Sequence, residues 1–243
     1  MSTNGKHKLT AMMLVRNEAE RYLNTCLSHL NVYTDEIIIL DDASTDNTSE
    51  VCLTYPKVKL YRNEEPMFIA NESLARKKLW QLVEKSNPDW ILAIDADEVF
   101  EDQIESQIGY IMAGDDYDAV EFRIFDFWKS MTHYRVDGLW NPWNRFSTLL
   151  IRYQPGKVYS WPDLPLHCGR IPMEYRSHRI KRFQSNIRVK HFGWADEKDH
   201  IKKYAFYKQK DPEGRLQAKN HLESVLDKEV KLEEWTESKS LSF

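Results

Sequence analysis

Three short apolar runs in residues 9–98 each stop on a polar cluster, and this repeated unit limits the fold more than anything else in the chain. Leu9 to Val15 runs into Arg16-Asn17-Glu18, after which Tyr22, Leu23, Cys26, Leu27 and Leu30 keep helical spacing. Glu36-Ile37-Ile38-Ile39-Leu40 is β-branched and ends in Asp41-Asp42-Ala43-Ser44-Thr45-Asp46, a cluster of residue types that stop strands and cap helices. Val58 to Tyr61 reads as a weaker strand, and Asn71 to Glu84 as a helix carried by Leu74, Ala75, Leu79, Leu82 and Val83. Asn87-Pro88-Asp89 breaks that helix, and Trp90 to Ile94 then forms a central strand ending on Asp95-Ala96-Asp97-Glu98. Runs that are apolar at consecutive positions are buried on both faces, as in a parallel sheet covered by helices. Right-handed crossovers gather the strand C-termini at one edge, where open sheets bind ligands. The clusters beginning at Arg16, Asp41 and Asp95 should therefore converge.

The pattern changes over residues 118–195, where strand-like Ala119 to Phe125 and Ser147 to Tyr153 flank an aromatic, turn-rich stretch. Trp128, Trp140, Trp143, Trp161 and Trp194 fall in this region, which makes it a candidate for binding a second substrate. The basic residues Arg176, Arg179, Lys181, Arg182 and Arg188 read as a solvated face, with contact to an anionic group as the other reading. Beyond Asp196, Ile201, Tyr204 and Ala205, then Leu222, Val225, Leu226 and Val230, suggest two amphipathic helices, followed by a fraying tail from Ser238 to Phe243.

Composition narrows the function classes. The 34 basic and 38 acidic residues are interspersed, so the net charge of -4 demands no nucleic-acid partner. Cys26, Cys52 and Cys168 are odd in number and form no CxxC pair, which argues against a disulfide framework and a structural zinc site. No apolar stretch resembles a signal peptide or approaches the roughly 18 residues of a membrane span. A cytoplasmic protein is expected, with peripheral contact to a membrane surface left open.

Carboxylates at i and i+2 leaving a buried strand place oxygen ligands close together, and a divalent ion held by few protein ligands keeps positions open for phosphate. Such an ion can neutralise a departing diphosphate. The ordered motifs Met12-Met13-Leu14-Val15-Arg16-Asn17-Glu18-Ala19-Glu20, Ile38-Ile39-Leu40-Asp41-Asp42-Ala43-Ser44-Thr45-Asp46, Leu74-Ala75-Arg76 and Ile94-Asp95-Ala96-Asp97-Glu98 resemble those of a family 2 glycosyltransferase. That resemblance implies the α/β nucleotide-diphospho-sugar transferase fold called GT-A, a mixed central sheet flanked by helices, with C-terminal helices. It also implies a nucleotide-sugar-binding half over residues 1–110, an acceptor-binding half of the same domain over 111–195, and a helical extension over 196–243.

By the same resemblance, Asp42 accepts from the donor base, with uracil favoured, while Arg16 and Glu18 line the ribose and diphosphate side and Arg76 answers phosphate charge. Asp97 would ligate Mn2+ or Mg2+ directly, Asp95 would orient the ribose or a metal-bound water, and His191 would complete the metal shell as a late histidine does in many relatives. Ala43 stands where the family usually has glycine. Asn144-Arg145-Phe146 through Arg152, Pro155-Gly156 and Leu166-His167 are similar to bacterial members that extend lipopolysaccharide cores or other surface glycans. Those relatives commonly carry Glu after the histidine, and here the residue is Cys168, so the catalytic base must come from elsewhere. Asp163 is the leading candidate for it, followed by Glu174 and His167.

The implied activity is metal-dependent, inverting transfer of a sugar from a nucleotide diphosphate, UDP-sugar favoured, to a hydroxyl on a glycan or lipid-linked saccharide. A sugar nucleotidyltransferase is the second enzymatic reading, although no Gly-rich loop with a following arginine and lysine comes after Val15. A non-catalytic nucleotide- or glycan-binding protein of the same fold is the third, with Cys168 in its favour.

Overall fold

The computed structural model describes residues 7–216 and 218–238. The polar residues 1–6, and all but Ser238 of the expected tail, lie outside them. Strands β1 (Leu9–Val15), β2 (Glu36–Asp41), β3 (Val58–Arg62) and β4 (Trp90–Ala93) pair in parallel in the order β4-β1-β2-β3. Helices α1 (Leu23–Tyr33), α2 (Thr48–Leu53) and α3 (Glu72–Glu84) connect them.

Side chains alternate across a strand, so β1 and β2 feed two cores. Met13, Val15, Ile37 and Ile39 pack with Leu23, Leu27 and Leu30 of α1, whereas Met12, Ile38 and Leu40 pack with Leu79, Trp80 and Val83 of α3. Consecutive positions are apolar because a helix covers each face. Helix α3 begins where the Asn71 side chain accepts from the Leu74 N–H at 3.1 Å, satisfying an N–H that has no partner within the helix. Its buried stripe is Ala75, Leu79 and Val83 with Trp80. Leu74, expected on that stripe, is 55% exposed, because one residue's turn of about 100° carries it off the covered face.

The second half extends the sheet. After β5 (Glu98–Phe100) and α4 (Ile104–Ala113) come β6 (Ala119–Trp128), β7 (His133–Arg135), β8 (Ser147–Arg152) and β9 (Arg182–Trp194). Strand β8 lies antiparallel between β4 and β6, and β9 runs parallel to β6 and antiparallel to β5. The mixed sheet bends the chain so that β9 delivers its C-terminal end beside the β4 carboxylates.

The C-terminal region differs from its sequence reading. Helix α5 (Glu197–Lys210) is capped by Asp196, but Ile201 is 67% exposed and the buried residue is His200. The His200 ring nitrogens lie 3.1 Å from the Val225 carbonyl and 2.7 Å from the Trp194 carbonyl. The second expected helix shrinks to α6 (Lys219–Glu223) and a 3-10 turn, after which β10 (Leu232–Glu234) pairs antiparallel with β7. Val225 leaves the helical pattern because it completes a cluster with Trp128, Trp140 and Trp194. Most of the tryptophans expected to meet a substrate are thus core residues, and Trp143 alone of that set is half exposed.

The basic stretch is also not a solvated face throughout. Arg182 pairs with Glu121 at 3.3 Å, and Arg188 holds the buried Glu101 through Nε at 2.9 Å. All three cysteines are free and buried. Among the described residues no helix is long and apolar enough to cross a membrane.

Candidate active site

A cleft of about 510 Å³ opens at the C-terminal edge of β1, β2 and β4. Arg16, Glu18 and Asp42 line one part of it, and Arg76, Asp95, Asp97 and His191 another. The loops carrying the first group are locked together: Asn17 Oδ1 accepts from the Thr45 N–H at 2.7 Å, and the Glu18 N–H donates to Thr48 Oγ1 at 2.8 Å. Both turns need left-handed backbone, with φ of +55° at Asn17 and +60° at Ala43. Asparagine tolerates that region, whereas alanine pays a steric cost that glycine does not.

The Asp42 carboxylate is fully buried and accepts from Asn63 Nδ2 at 2.7 Å, the Met67 N–H at 2.8 Å and the Phe68 N–H at 2.9 Å. Both lone pairs of Oδ1 are taken, and one on Oδ2 is left for a ligand. Arg16 Nη1 is buried with no hydrogen-bond partner among the described residues. Burial raises the Glu18 carboxyl to about 7, against the opposing charge of Arg21.

Asp95 sits between two guanidiniums, Arg170 at 3.1 Å and Arg76 at 3.4 Å. Arg170 also forks onto Glu98, whose Oε2 accepts from the Asp95 N–H at 3.1 Å. Burial opposes the charge on Asp95, but Arg170 and Arg76 outweigh it and hold the carboxyl below its usual range.

Asp97 is placed differently. Its Oδ2 lies 3.6 Å from His191 Nε2 and 3.7 Å from Lys203 Nζ. On the other side of the ring, His191 Nδ1 meets Asp126 Oδ1 at 2.6 Å, and Asp126 Oδ2 accepts from Arg145 at 2.7 Å. Burial lowers the His191 pKa, yet the flanking carboxylates of Asp97 and Asp126 carry it up to about 10. Gly193 forms the floor: a Cβ there would fall 2.4 Å from His191 Nε2, 2.6 Å from Lys203 Nζ and 2.7 Å from Asp97 Oδ2. Three polar groups thus face one small space that only glycine leaves clear.

This donor set suits a divalent ion that takes further ligands from a phosphate. A carboxylate oxygen and an imidazole nitrogen face each other, and Asp126 behind the ring fixes which nitrogen points inward. Among the described residues no group of three or more His, Cys, Asp and Glu side chains is gathered for a metal; Asp97 and His191 are the carboxylate and imidazole that face each other over Gly193.

The model of the family described as Glycosyl transferase family 2 matches residues 10–163, more than half of the chain. The chain belongs to glycosyl transferase family 2. An uncharacterized protein of Mycobacterium tuberculosis is 25% identical over 214 residues, covering 86% of this chain and 52% of that protein. The SPbeta prophage-derived glycosyltransferase SunS of Bacillus subtilis is 25% identical over 199 residues, covering 80% of this chain and 42% of its own. The chain therefore spans about half the length, or less, of these relatives. Among solved structures, S. aureus TarS superimposes with a TM-score of 0.57 at 13% identity, over 90% of this chain and 42% of TarS, and shares the fold. That fold is GT-A.

Within this family 2 frame, the loop from Trp161 to Arg170 departs from the sequence reading. Asp163 is exposed, makes no hydrogen bond or ion pair among the described contacts, and is not part of the cleft lining. Glu174 accepts from Ser160 Oγ at 2.6 Å, away from the cleft, and His167 stacks on Tyr207 with ring centroids 5.3 Å apart. Burial and the nearby Glu72 push the Cys168 thiol up to about 12, which disfavours the thiolate at neutral pH. The loop instead sends Arg170 inward. Sequence reasoning missed Arg170, Asp126 and Lys203, and it placed Arg145 only within an acceptor-side motif. Asp126 alone carried a signal, as a lone carboxylate inside the apolar run Ile124-Phe125-Asp126-Phe127-Trp128.

Proposed function

We propose that this family 2 member is a metal-dependent, inverting glycosyltransferase that moves a sugar from a nucleoside diphosphate, UDP favoured, to a hydroxyl of a glycan or lipid-linked saccharide. The observation that carries the reading is the cradle over Gly193, where Asp97 and an Asp126-oriented His191 face each other in a cleft lined by arginines. TarS has been solved with UDP and with UDP-GlcNAc, at TM-scores of 0.51 and 0.50 to this chain, which supports a uridine donor.

In this reading the free lone pair of Asp42 Oδ2 accepts an N–H of the base, and the unpartnered Arg16 Nη1 donates toward the diphosphate. Arg76 and Arg170 hold Asp95 in place toward the ribose. Asp97 and His191 would hold Mn2+ or Mg2+, which supplies Lewis-acid neutralisation of the leaving diphosphate. Asp126 keeps the imidazole in one tautomer by taking the Nδ1 proton in a hydrogen bond. Trp140 and Trp194, buried in the tryptophan cluster, border the same cleft and close its apolar side.

Asp163 remains the proposed base on the condition that the loop from Trp161 to Arg170, which carries it exposed and outside the cleft lining, brings it to the acceptor hydroxyl. A thermal-shift and transfer assay tests the whole proposal: UDP with Mn2+ should stabilise the protein, and Asp97→Asn should remove both that shift and sugar transfer. Full turnover by Asp97→Asn with every nucleotide sugar tried would sink it.

One observation favours a non-catalytic binding protein instead. The cleft carboxylates Asp95, Glu98 and Asp126 all carry cationic partners, and Asp163 lies outside the lining. UDP binding that needs metal, together with no donor hydrolysis and no transfer to a broad acceptor panel, would decide for that reading.

A further inference from the structure

We propose that Lys203, on α5, is a phosphate-binding residue of the donor site, so that a helix outside the matched segment 10–163 completes the cleft. The inference rests on the donor reading above. Lys203 Nζ donates to the Gly193 carbonyl at 2.8 Å and lies over the Trp194 ring at 4.7 Å. An ammonium has three N–H donors, and the Gly193 carbonyl is the one hydrogen-bond acceptor found for it among the described contacts. Its other donors face Asp97, 3.7 Å away, across the space that a Cβ on residue 193 would fill. Whatever anion enters beside Asp97 and His191 therefore meets Lys203 as well.

The lysine is held in position by its helix. At the start of α5, Asp199 pairs with Arg21 of the loop after β1 at 2.9 Å. Further along, Tyr207 stacks on His167, and Lys210 donates to the Ile69 carbonyl at 3.1 Å. Helix α5 is thus tied to three separate loops, and Lys203 lies between those ties. Placing a cation in advance lowers the ordering cost of binding an anion. Lys203 and Tyr207 also wall a second cavity of about 510 Å³ beside Asn17, Arg21 and Phe206, so the ammonium stands where the two spaces meet.

A diphosphate carries more charge than the Asp97 carboxylate, and it would draw the ammonium away from the weak 3.7 Å pair. The base end is elsewhere, since the Asp42 contacts are to Asn63, Met67 and Phe68. Loss of Lys203 should accordingly weaken binding of the diphosphate and not of the nucleoside.

The test is calorimetric titration of UDP and of uridine, in Mn2+, into the wild type, Lys203→Met and Lys203→Arg, with each melting temperature recorded. Lys203→Met should bind UDP about tenfold or more weakly while uridine affinity stays within about twofold, and Lys203→Arg should recover part of the loss. Unchanged UDP affinity in Lys203→Met overturns the proposal. An equal loss for UDP and uridine also overturns it, since that would mean Lys203 only fastens α5 to β9. If the folded wild type fails to bind UDP, the donor reading falls and this inference with it, an outcome distinct from a wild type that binds and a variant that binds equally well.

Discussion

Behind His191, Asp126 sits among the large apolar side chains Ile124, Phe125, Phe127 and Trp128 of β6, and its carboxylate is buried. A buried carboxylate is costly unless it is paired, and here it is bonded on one side to His191 and on the other to Arg145. Replacing it with asparagine keeps the volume and loses the charge that orients the ring. Asp126→Asn should weaken Mn2+ binding about 10–100-fold by calorimetry with the melting profile little changed, and retained affinity would remove Asp126 from the site. Ala43 gives a second prediction. At φ +60° an alanine is strained where glycine is not, so Ala43→Gly should raise stability by about 0.5–1 kcal/mol in urea denaturation. A family preference for glycine at that place has its physical reason in this backbone angle. The motif showed which residue was unusual, and the fold shows what it costs.

Among the elements, β5 and β9 are held together by a charge that the sequence pattern did not reveal. Glu101, just past β5, is buried and receives Arg188 of β9 through its guanidinium and its N–H, together with the Ser238 N–H at 2.9 Å. Burial opposes ionisation, but these donors outweigh it and lower the Glu101 pKa to about 2 from the ordinary 4.5. A carboxyl whose pKa is depressed by folding adds stability above the unfolded value and loses it as pH falls through the folded one. The wild type should therefore lose on the order of 2 kcal/mol from this group between pH 4.5 and about 2, a loss that Glu101→Gln should not show. Urea midpoints measured from pH 6 downward check this, and parallel curves for the two proteins would rule it out. Helical and strand periods were readable wherever a face was apolar throughout, as in β1, β2, β4 and α3. They misled at α5, where the buried residue is a hydrogen-bonded histidine, and at β10, an exposed edge strand whose pairing with β7 leaves no period to read.

For the molecule as a whole, ligand binding should register as stability. At roughly 100 times its dissociation constant UDP contributes about 2.7 kcal/mol, or about 5–10 °C in melting temperature for a domain of this size. That shift should collapse when EDTA removes the metal, and a full shift in EDTA would refute metal dependence. What the sequence by itself determined was the parallel half of the sheet and the meeting of its polar ends. Both follow from local rules, since an apolar run sets its own strand and crossover handedness sets which edge the strands share. Tertiary structure decided how the partners of Asp97 reach it and which residues stand behind them. His191 arrives on β9, about a hundred residues later in the chain, through parallel pairing with β6, Asp126 by that same pairing, and Lys203 on a helix fastened by Arg21 and His167. Those contacts depend on register and side-chain fit between distant segments, which no local period encodes. Asp97 was legible because it ends a strand and His191 through the family resemblance, whereas Asp126 and Lys203 joined them only when the sheet closed around the pair.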